Sequence, residues 1–262
     1  MNPEIIAEGL RPEMGTESVA HILHWLARST RAERILEVGT GYTTVLLAEA
    51  LRENLHSFQR ERAAMIQKSQ NQVPLGAAWS LSDPPLGDPG YYLRDYRPKL
   101  LSIDNDPDAS ERNSRIAQII RKLGLSTLVE FLCEDFRTSI SRLRNARETF
   151  NLVWFDCGGY REYTDFLQSG WDIVDADGGL LVLHYTLTNL EIGSVIKDLK
   201  LSQATGALRE FELLSILEPH KFAQNSYTIL RRISQFHERV YGQPDIQMTC
   251  DVARLLELTD EI

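Results

Sequence analysis

Apolar residues recur with two different periods along the chain, and the alternation between them organises it. Val19, Ile22, Leu23 and Leu26 fall at i, i+3, i+4 and i+7, which predicts an amphipathic helix over 16–29. A short apolar run, Arg34–Val38, then leads through Gly39-Thr40-Gly41 into TTVLLAEAL, reading as strand, glycine turn and helix. From about residue 57 to 98 the pattern changes. It starts polar and charged, then collects Pro74, Gly76, Pro84, Pro85, Gly87, Pro89 and Gly90 within a short span. This stretch reads as an insertion too short for a core of its own, and long loops of this kind tend to be functional or disordered.

Regular alternation then resumes. Leu100–Ile103 predicts a strand ending at Asp104, and Asp106-Pro107 predicts a helix cap followed by its first residue. The helix that follows carries Ile116, Ile119, Ile120 and Leu123 and stops at Gly124. Further strands are expected at 128–132, ending near Asp135, at 152–155, ending at Asp156, and at 180–183, ending at His184. Helices are expected at 137–144, 161–174 and 190–201. The runs 210–217 and 227–230 leave no room for a crossover helix, so they are expected to pair antiparallel. The fold class is therefore α/β: a Rossmann-like, open, mostly parallel seven-stranded sheet with helices on both faces and an antiparallel last strand. The expected organisation is a single domain over 1–262. Its core spans 13–56 and 99–232, with 57–98 an insertion able to serve as a lid and 233–262 a helical tail.

Composition narrows the function classes. The chain has 262 residues, 43% hydrophobic and 25% charged, which is ordinary for a globular protein and excludes a disordered or collagen-like chain. No apolar run approaches the roughly 20 residues of a membrane-spanning helix, and the N-terminus lacks the pattern of a secretory leader. A net charge of −9 argues against a broad phosphate-neutralising surface, so neither nucleic acid nor membrane is expected as a partner. Cys133, Cys157 and Cys250 have neither zinc nor disulfide-framework spacing, which favours a reducing, cytoplasmic setting. The helical tail is a candidate contact for a homodimer.

Open α/β sheets bind ligands beyond the carboxyl ends of their strands. The residues there are Glu37, Gly39, Gly41, Asp104, Asp135, Asp156 and His184. Gly39 and Gly41 permit a tight turn and close approach of backbone to a ligand at a helix N-terminus. A dinucleotide fingerprint is not met: its third glycine position is Thr44, and the acid expected about 20 residues on is instead Asp104, 65 residues beyond Gly39. A carboxylate after the second strand still suits the ribose hydroxyls of an adenosine ligand.

ILEVGTGYTTVLLAEAL, LLSIDNDP, FLCEDF, NLVWFDCGGYREY and GGLLVLHY occur in this order. Together they resemble the class I S-adenosylmethionine-dependent methyltransferases, nearest to the small-molecule O-methyltransferases related to catechol and caffeoyl-CoA O-methyltransferases. The resemblance implies S-adenosyl-L-methionine as cofactor and a small-molecule acceptor. It implies that Glu37, Gly39, Thr40, Gly41 and Thr43 cradle the methionine part of the cofactor. Asp104 would bind the ribose, with Asn105 beside the adenine. Asp135 would meet the adenine amino group, with Phe136 stacking on the ring, and Asp156 would lie near the methyl donor.

The sequence departs from the metal-dependent members in two places. Asp156-Cys157-Gly158-Gly159 and His184-Tyr185 stand where the family has Asp-x-Asp-Lys and Asp-Asn sequences. Magnesium and calcium prefer several oxygen ligands, so no catalytic metal is expected. His184 is expected instead as the base, aided by Asp156. Tyr160, Tyr163, Tyr185 and His220 are candidates for the acceptor site. Asp83-Pro84-Pro85 resembles the motif of amino-methyltransferases, but it lies in the insertion and Leu86 replaces the aromatic residue, which counts against a nucleobase methyltransferase. Two alternatives remain open at this stage: another reaction of the same cofactor, such as aminopropyl transfer or cyclisation, and a non-catalytic cofactor-binding scaffold.

Overall fold

In a computed structural model the chain is described at residues 3–11, 14–70, 79, 81–85, 87–105, 110–205, 211–233 and 246–258. The expected cap pair Asp106-Pro107, with Pro74, Gly76 and Leu86, lies outside the described residues. The chain divides into two compact units, 1–52 with 98–236 and 53–97 with 237–262.

The larger unit is built on seven strands: β1 (Arg34–Val38), β2 (Lys99–Ile103), β3 (Val129–Leu132), β4 (Leu152–Phe155), β5 (Leu180–His184), β6 (Phe211–Leu217) and β7 (Ser226–Arg232). Their order in the sheet is β3-β2-β1-β4-β5-β7-β6. The first five are parallel, and β7 runs antiparallel between β5 and β6. The interior strands β4 and β5 are buried along their whole length, as their continuous apolar sequences LVWF and LLVLH require of parallel strands covered on both faces.

The helices of this unit are α1 (Pro3–Ala7), α2 (Glu17–Ser29), the first part of α3 (Tyr42–Gln70), α4 (Ser110–Lys122), α5 (Phe136–Asn145), α6 (Tyr160–Gly170) and α7 (Leu190–Ala204). Alternation along each strand sorts side chains between two cores. Ile35, Leu100, Trp154 and Val182 pack with residues of α2, α3 and α4. Leu36, Ile103, Phe155 and Leu183 pack with residues of α5, α6 and α7. The helix expected over 161–174 ends at Gly170 and passes into a 3-10 turn, Trp171–Ile173.

The polar start of the 57–98 stretch is helical: α3 continues unbroken to Gln70. In the second unit Phe58, Met65, Ile66, Trp79, Tyr92 and Tyr96 bury a small core with Leu255 of α8 (Ile246–Glu257). Phe58 stacks on Tyr96, with ring centroids 5.0 Å apart, and the Lys68 ammonium lies 4.0 Å from the centre of the Trp79 ring. Neither segment has enough apolar residues to bury a core alone. Two segments far apart in sequence supply it jointly, a pairing that no local period reveals.

Candidate active site

The site forms where β1, β2, β4 and β5 end. β1 leaves the sheet through Gly39, whose φ of +103° favours glycine. A Cβ here would lie 2.4 Å from the carbonyl oxygen of Asp156, so the loop and the end of β4 touch backbone to backbone. The Asp156 amide donates to Val38 and the Gly39 amide to Ile103, which ties three strand ends together. Asp104, nearly buried, accepts from the Thr40 amide at 3.1 Å, and the Thr40 and Ser102 hydroxyls are 2.8 Å apart.

Glu37 points into the protein. Its register partners on either side are Ser102 and Trp154, and it has no solvent exposure. The hydroxyls of Thr43, Thr44 and Ser102 donate to its carboxylate at 2.5, 2.5 and 2.7 Å, and Thr44 in turn accepts from the Gly41 amide at 3.0 Å. Burial pushes the Glu37 carboxyl up to about 7. The three hydroxyls oppose that shift and the neighbouring negative charge of Asp156 adds to it. Glu37 thus fixes the shape of the glycine turn from within. Thr44 and Ser102 were missed as site residues, although a serine inside the apolar strand KLLSI is the kind of signal that marks a buried polar contact.

At the next strand end, Asp135 caps α5 by accepting from the Arg137 amide at 2.8 Å and takes a hydrogen bond from the Asn105 side chain at 3.4 Å. Arg137 reaches from Asp135 to Glu162 and Asp165 on α6. Phe136 is buried edge-on against Phe155 and beside Phe166, so its ring contributes to the core beneath this site.

At the ends of β4 and β5, Asp156 Oδ1 and His184 Nδ1 are 2.8 Å apart. His184 is 1% exposed. Its Nε2 is buried without a hydrogen-bond partner among the described residues, and its ring lies 5.2 Å from those of Trp154 and Tyr185. Tyr163 is fully buried and donates to the His184 carbonyl at 2.9 Å. Burial and the nearby Asp156 raise its phenol well above the usual range. Tyr185 holds a φ of +35°, uncommon for a bulky residue, and its hydroxyl donates to the Gly158 carbonyl. Burial, with Asp156 and Cys157 beside it, pushes the Tyr185 phenol up to about 12. Burial and the surrounding acids push the Cys157 thiol to about 11, so it stays protonated and a poor nucleophile at neutral pH.

The remaining candidates are more peripheral. Tyr160 is exposed at the first turn of α6. His220 is exposed in the turn between β6 and β7, and the neighbouring Lys221 is the anchored residue there. Lys221 pairs with Glu218 at 2.9 Å and Glu17 at 3.0 Å and donates to the Gly15 carbonyl at 2.9 Å. Among the described residues no group of three or more His, Cys, Asp or Glu side chains is placed to hold a metal ion.

A cleft opens directly above the glycine turn, lined by Gly39–Thr43, Asp156 and Arg115 and by Arg11, Met14 and Thr16 of the N-terminal segment. That segment is tied to α4. Arg115 donates to the Glu8 carbonyl, and the Glu8 carboxylate pairs with Lys122 at 2.7 Å.

Residues 89–186 match the model of a family described as a methyltransferase domain. The fold is shared with solved O-methyltransferases. A structure from Klebsiella pneumoniae assigned as an O-methyltransferase has a TM-score of 0.58 at 14% identity, covering 89% of this chain and 91% of its own. The O-methyltransferase of Bacillus cereus, in complex with S-adenosylhomocysteine, has a TM-score of 0.56 at 11% identity, covering 83% and 81%. TomG of Streptomyces achromogenes, an O-methyltransferase of tomaymycin synthesis in complex with S-adenosylmethionine, has a TM-score of 0.53 at 16% identity, covering 83% and 80%. No curated protein matches the chain.

Proposed function

We propose that the chain is a class I methyltransferase that moves the methyl group of S-adenosyl-L-methionine to an oxygen of a small molecule, with nitrogen the second choice. The reading is metal-independent, with His184 as base. The observation that supports it is the His184–Asp156 pair beside the glycine turn: His184 contacts Asp156 at 2.8 Å, and Gly39 closely approaches the Asp156 backbone. The residues present fit the cofactor. At Gly41 nothing lies within 4 Å of where a Cβ would stand, so the turn is open there, and Asp104, Asn105 and Asp135 stand at the ends of β2 and β3 as the adenosine end requires.

When bound, the cofactor supplies an electrophilic methyl on a sulfonium. The chain supplies position and a proton acceptor. With Nδ1–H donating to Asp156, the lone pair of Nε2 has no partner among the described residues; it would take the acceptor's O–H proton once a side-chain movement opens the buried ring to the acceptor. Once His184 has taken that proton, the bound cofactor would supply the methyl to the acceptor oxygen and keep the carbon–sulfur electron pair as S-adenosylhomocysteine. Asp156 orients the ring and stabilises the imidazolium that forms, the same division of labour as in other carboxylate–histidine pairs. Cys157, Gly158 and Gly159 after Asp156 bring no further hard oxygen side chains for a divalent ion.

Calorimetric titration with S-adenosylmethionine and S-adenosylhomocysteine, with and without a chelator, tests the assignment. Chelator-independent binding of both is expected. Binding that requires a divalent ion would overturn the metal-independent reading, and no binding of either would overturn the methyltransferase reading. His184→Ala is expected to keep S-adenosylhomocysteine affinity while turnover falls about 10²–10⁴-fold, the usual contribution of a general base. Full turnover by that variant would remove His184 from the mechanism.

A further inference from the structure

The proposed chemistry uses the glycine turn, the strand-end acids and the His184–Asp156 pair. It leaves unexplained why the N-terminal segment is fastened over the turn. Three observations bear on that. First, the residues lining the cleft above Gly39–Thr43 include both signs of charge: Asp156, and Arg11 with Arg115. Second, the two arginines differ in their engagement. Arg115 is spent on the Glu8 carbonyl, whereas Arg11 is exposed and has no ion-pair partner among the described residues. Third, the segment is anchored on both sides of Arg11. Ile6 is buried, and Glu8 is held by Arg115 and Lys122. The Gly15 carbonyl accepts a hydrogen bond from Lys221, and a Cβ at Gly15 would collide with Gln224. Arg11, exposed and without an ion pair among the described residues, thus lines the cleft on a segment held at Ile6, Glu8 and Gly15.

A cleft with both charges at the N-terminus of a helix matches an α-amino acid end, which carries an ammonium and a carboxylate on one carbon. We propose that Arg11 is a specificity-determining residue that pairs with the carboxylate of the cofactor's amino acid end, and that Arg115 is a positioning residue acting through Glu8. Guanidinium and carboxylate are complementary in shape as well as charge, and charge-assisted hydrogen bonds are the stronger kind. The N-terminal segment would then select amino-acid-bearing adenosyl thioethers over those that lack the carboxylate. This assignment rests on the proposed cofactor.

The test compares S-adenosylhomocysteine with its decarboxylated analogue, which lacks only the carboxylate, by calorimetry on the full chain. Wild type is expected to prefer S-adenosylhomocysteine by at least tenfold. Arg11→Ala should weaken S-adenosylhomocysteine about 10- to 100-fold, leave the analogue within twofold and so erase the preference. Arg11→Lys should recover part of it, because the charge returns without the fork. Analogue binding by wild type too weak to measure, with S-adenosylhomocysteine bound, counts as the preference. Equal affinity of wild type for the two ligands would overturn the assignment. So would an Arg11→Ala variant that weakens both ligands alike, the signature of a merely structural role, or one that weakens neither. Failure of wild type to bind either ligand would instead refute the proposed cofactor, and with it any role for Arg11 toward it.

Discussion

Replacing Glu37 by glutamine keeps the shape of a fully buried side chain and removes its charge. In the folded protein this carboxyl titrates near 7, against 4.5 for the free group, because burial outweighs the three donating hydroxyls and Asp156 adds to the cost. The folded state therefore holds a proton on Glu37 that the unfolded chain gives up between pH 4.5 and 7. Stability must fall as pH rises through that window, by ~1.4 kcal/mol per pH unit where the two states differ by a full proton. Over the interval from 4.5 to about 7 this sums to about 3 kcal/mol. No solvent screening discounts it, since the group is not exposed. Glu37→Gln cannot titrate, and its amide nitrogen must face at least one hydroxyl that now has to turn, a pH-independent cost of about 1 kcal/mol. The variant should therefore be slightly less stable than wild type at pH 5 and more stable than wild type by about 2 kcal/mol at pH 8. Urea unfolding of both proteins at pH 5, 6, 7 and 8, followed by tryptophan fluorescence, reads the difference directly, because every other titrating group cancels. A stability difference between the two proteins that stays constant within 0.5 kcal/mol from pH 5 to 8, roughly the additivity error of such comparisons, would refute the reasoning.

Gly39→Ala puts a Cβ 2.4 Å from the Asp156 carbonyl at a φ of +103°. It should destabilise the chain by about 1–3 kcal/mol and abolish S-adenosylhomocysteine binding, which a thermal-shift titration would show; unchanged binding would separate the turn from the site. Trp79→Ala removes a fully buried side chain from the second unit and should cost that unit about 3–5 kcal/mol. Hydrogen exchange should rise over 53–70 and 246–258 while the amides of β1 and β4 keep their protection, whereas uniform loss would show that the two units unfold together.

The strands and their terminal acids are legible in the sequence because each depends on a local pattern. An apolar run of four or five residues closed by Asp or Glu reads the same in any parallel sheet, and Gly39-Thr40-Gly41 announces its own turn. Register could not be read in that way. Ser102 and Trp154 flank Glu37 only because β1 lies between β2 and β4, and that order is a property of the whole sheet. Phe136 and Tyr163 show the limit in the other direction. Phe136 directly follows Asp135 and Tyr163 lies on the helix that follows Asp156, but the helix period turns both rings into the core.

Fold class, the antiparallel closing pair and the line of candidate residues at the strand ends were determined by the sequence alone, because helix and strand periods and glycine turns act over a few residues. Three features were decided only by tertiary structure: the 2.8 Å contact that joins His184 to Asp156 across 28 positions, the placing of Arg11 along the cleft, and the core that Phe58, Trp79 and Tyr92 share with Leu255. Each joins residues whose separation along the chain exceeds any local period. The free energy that brings them together comes from burying apolar surface, which is set by the total area covered and not by the order in which its parts occur.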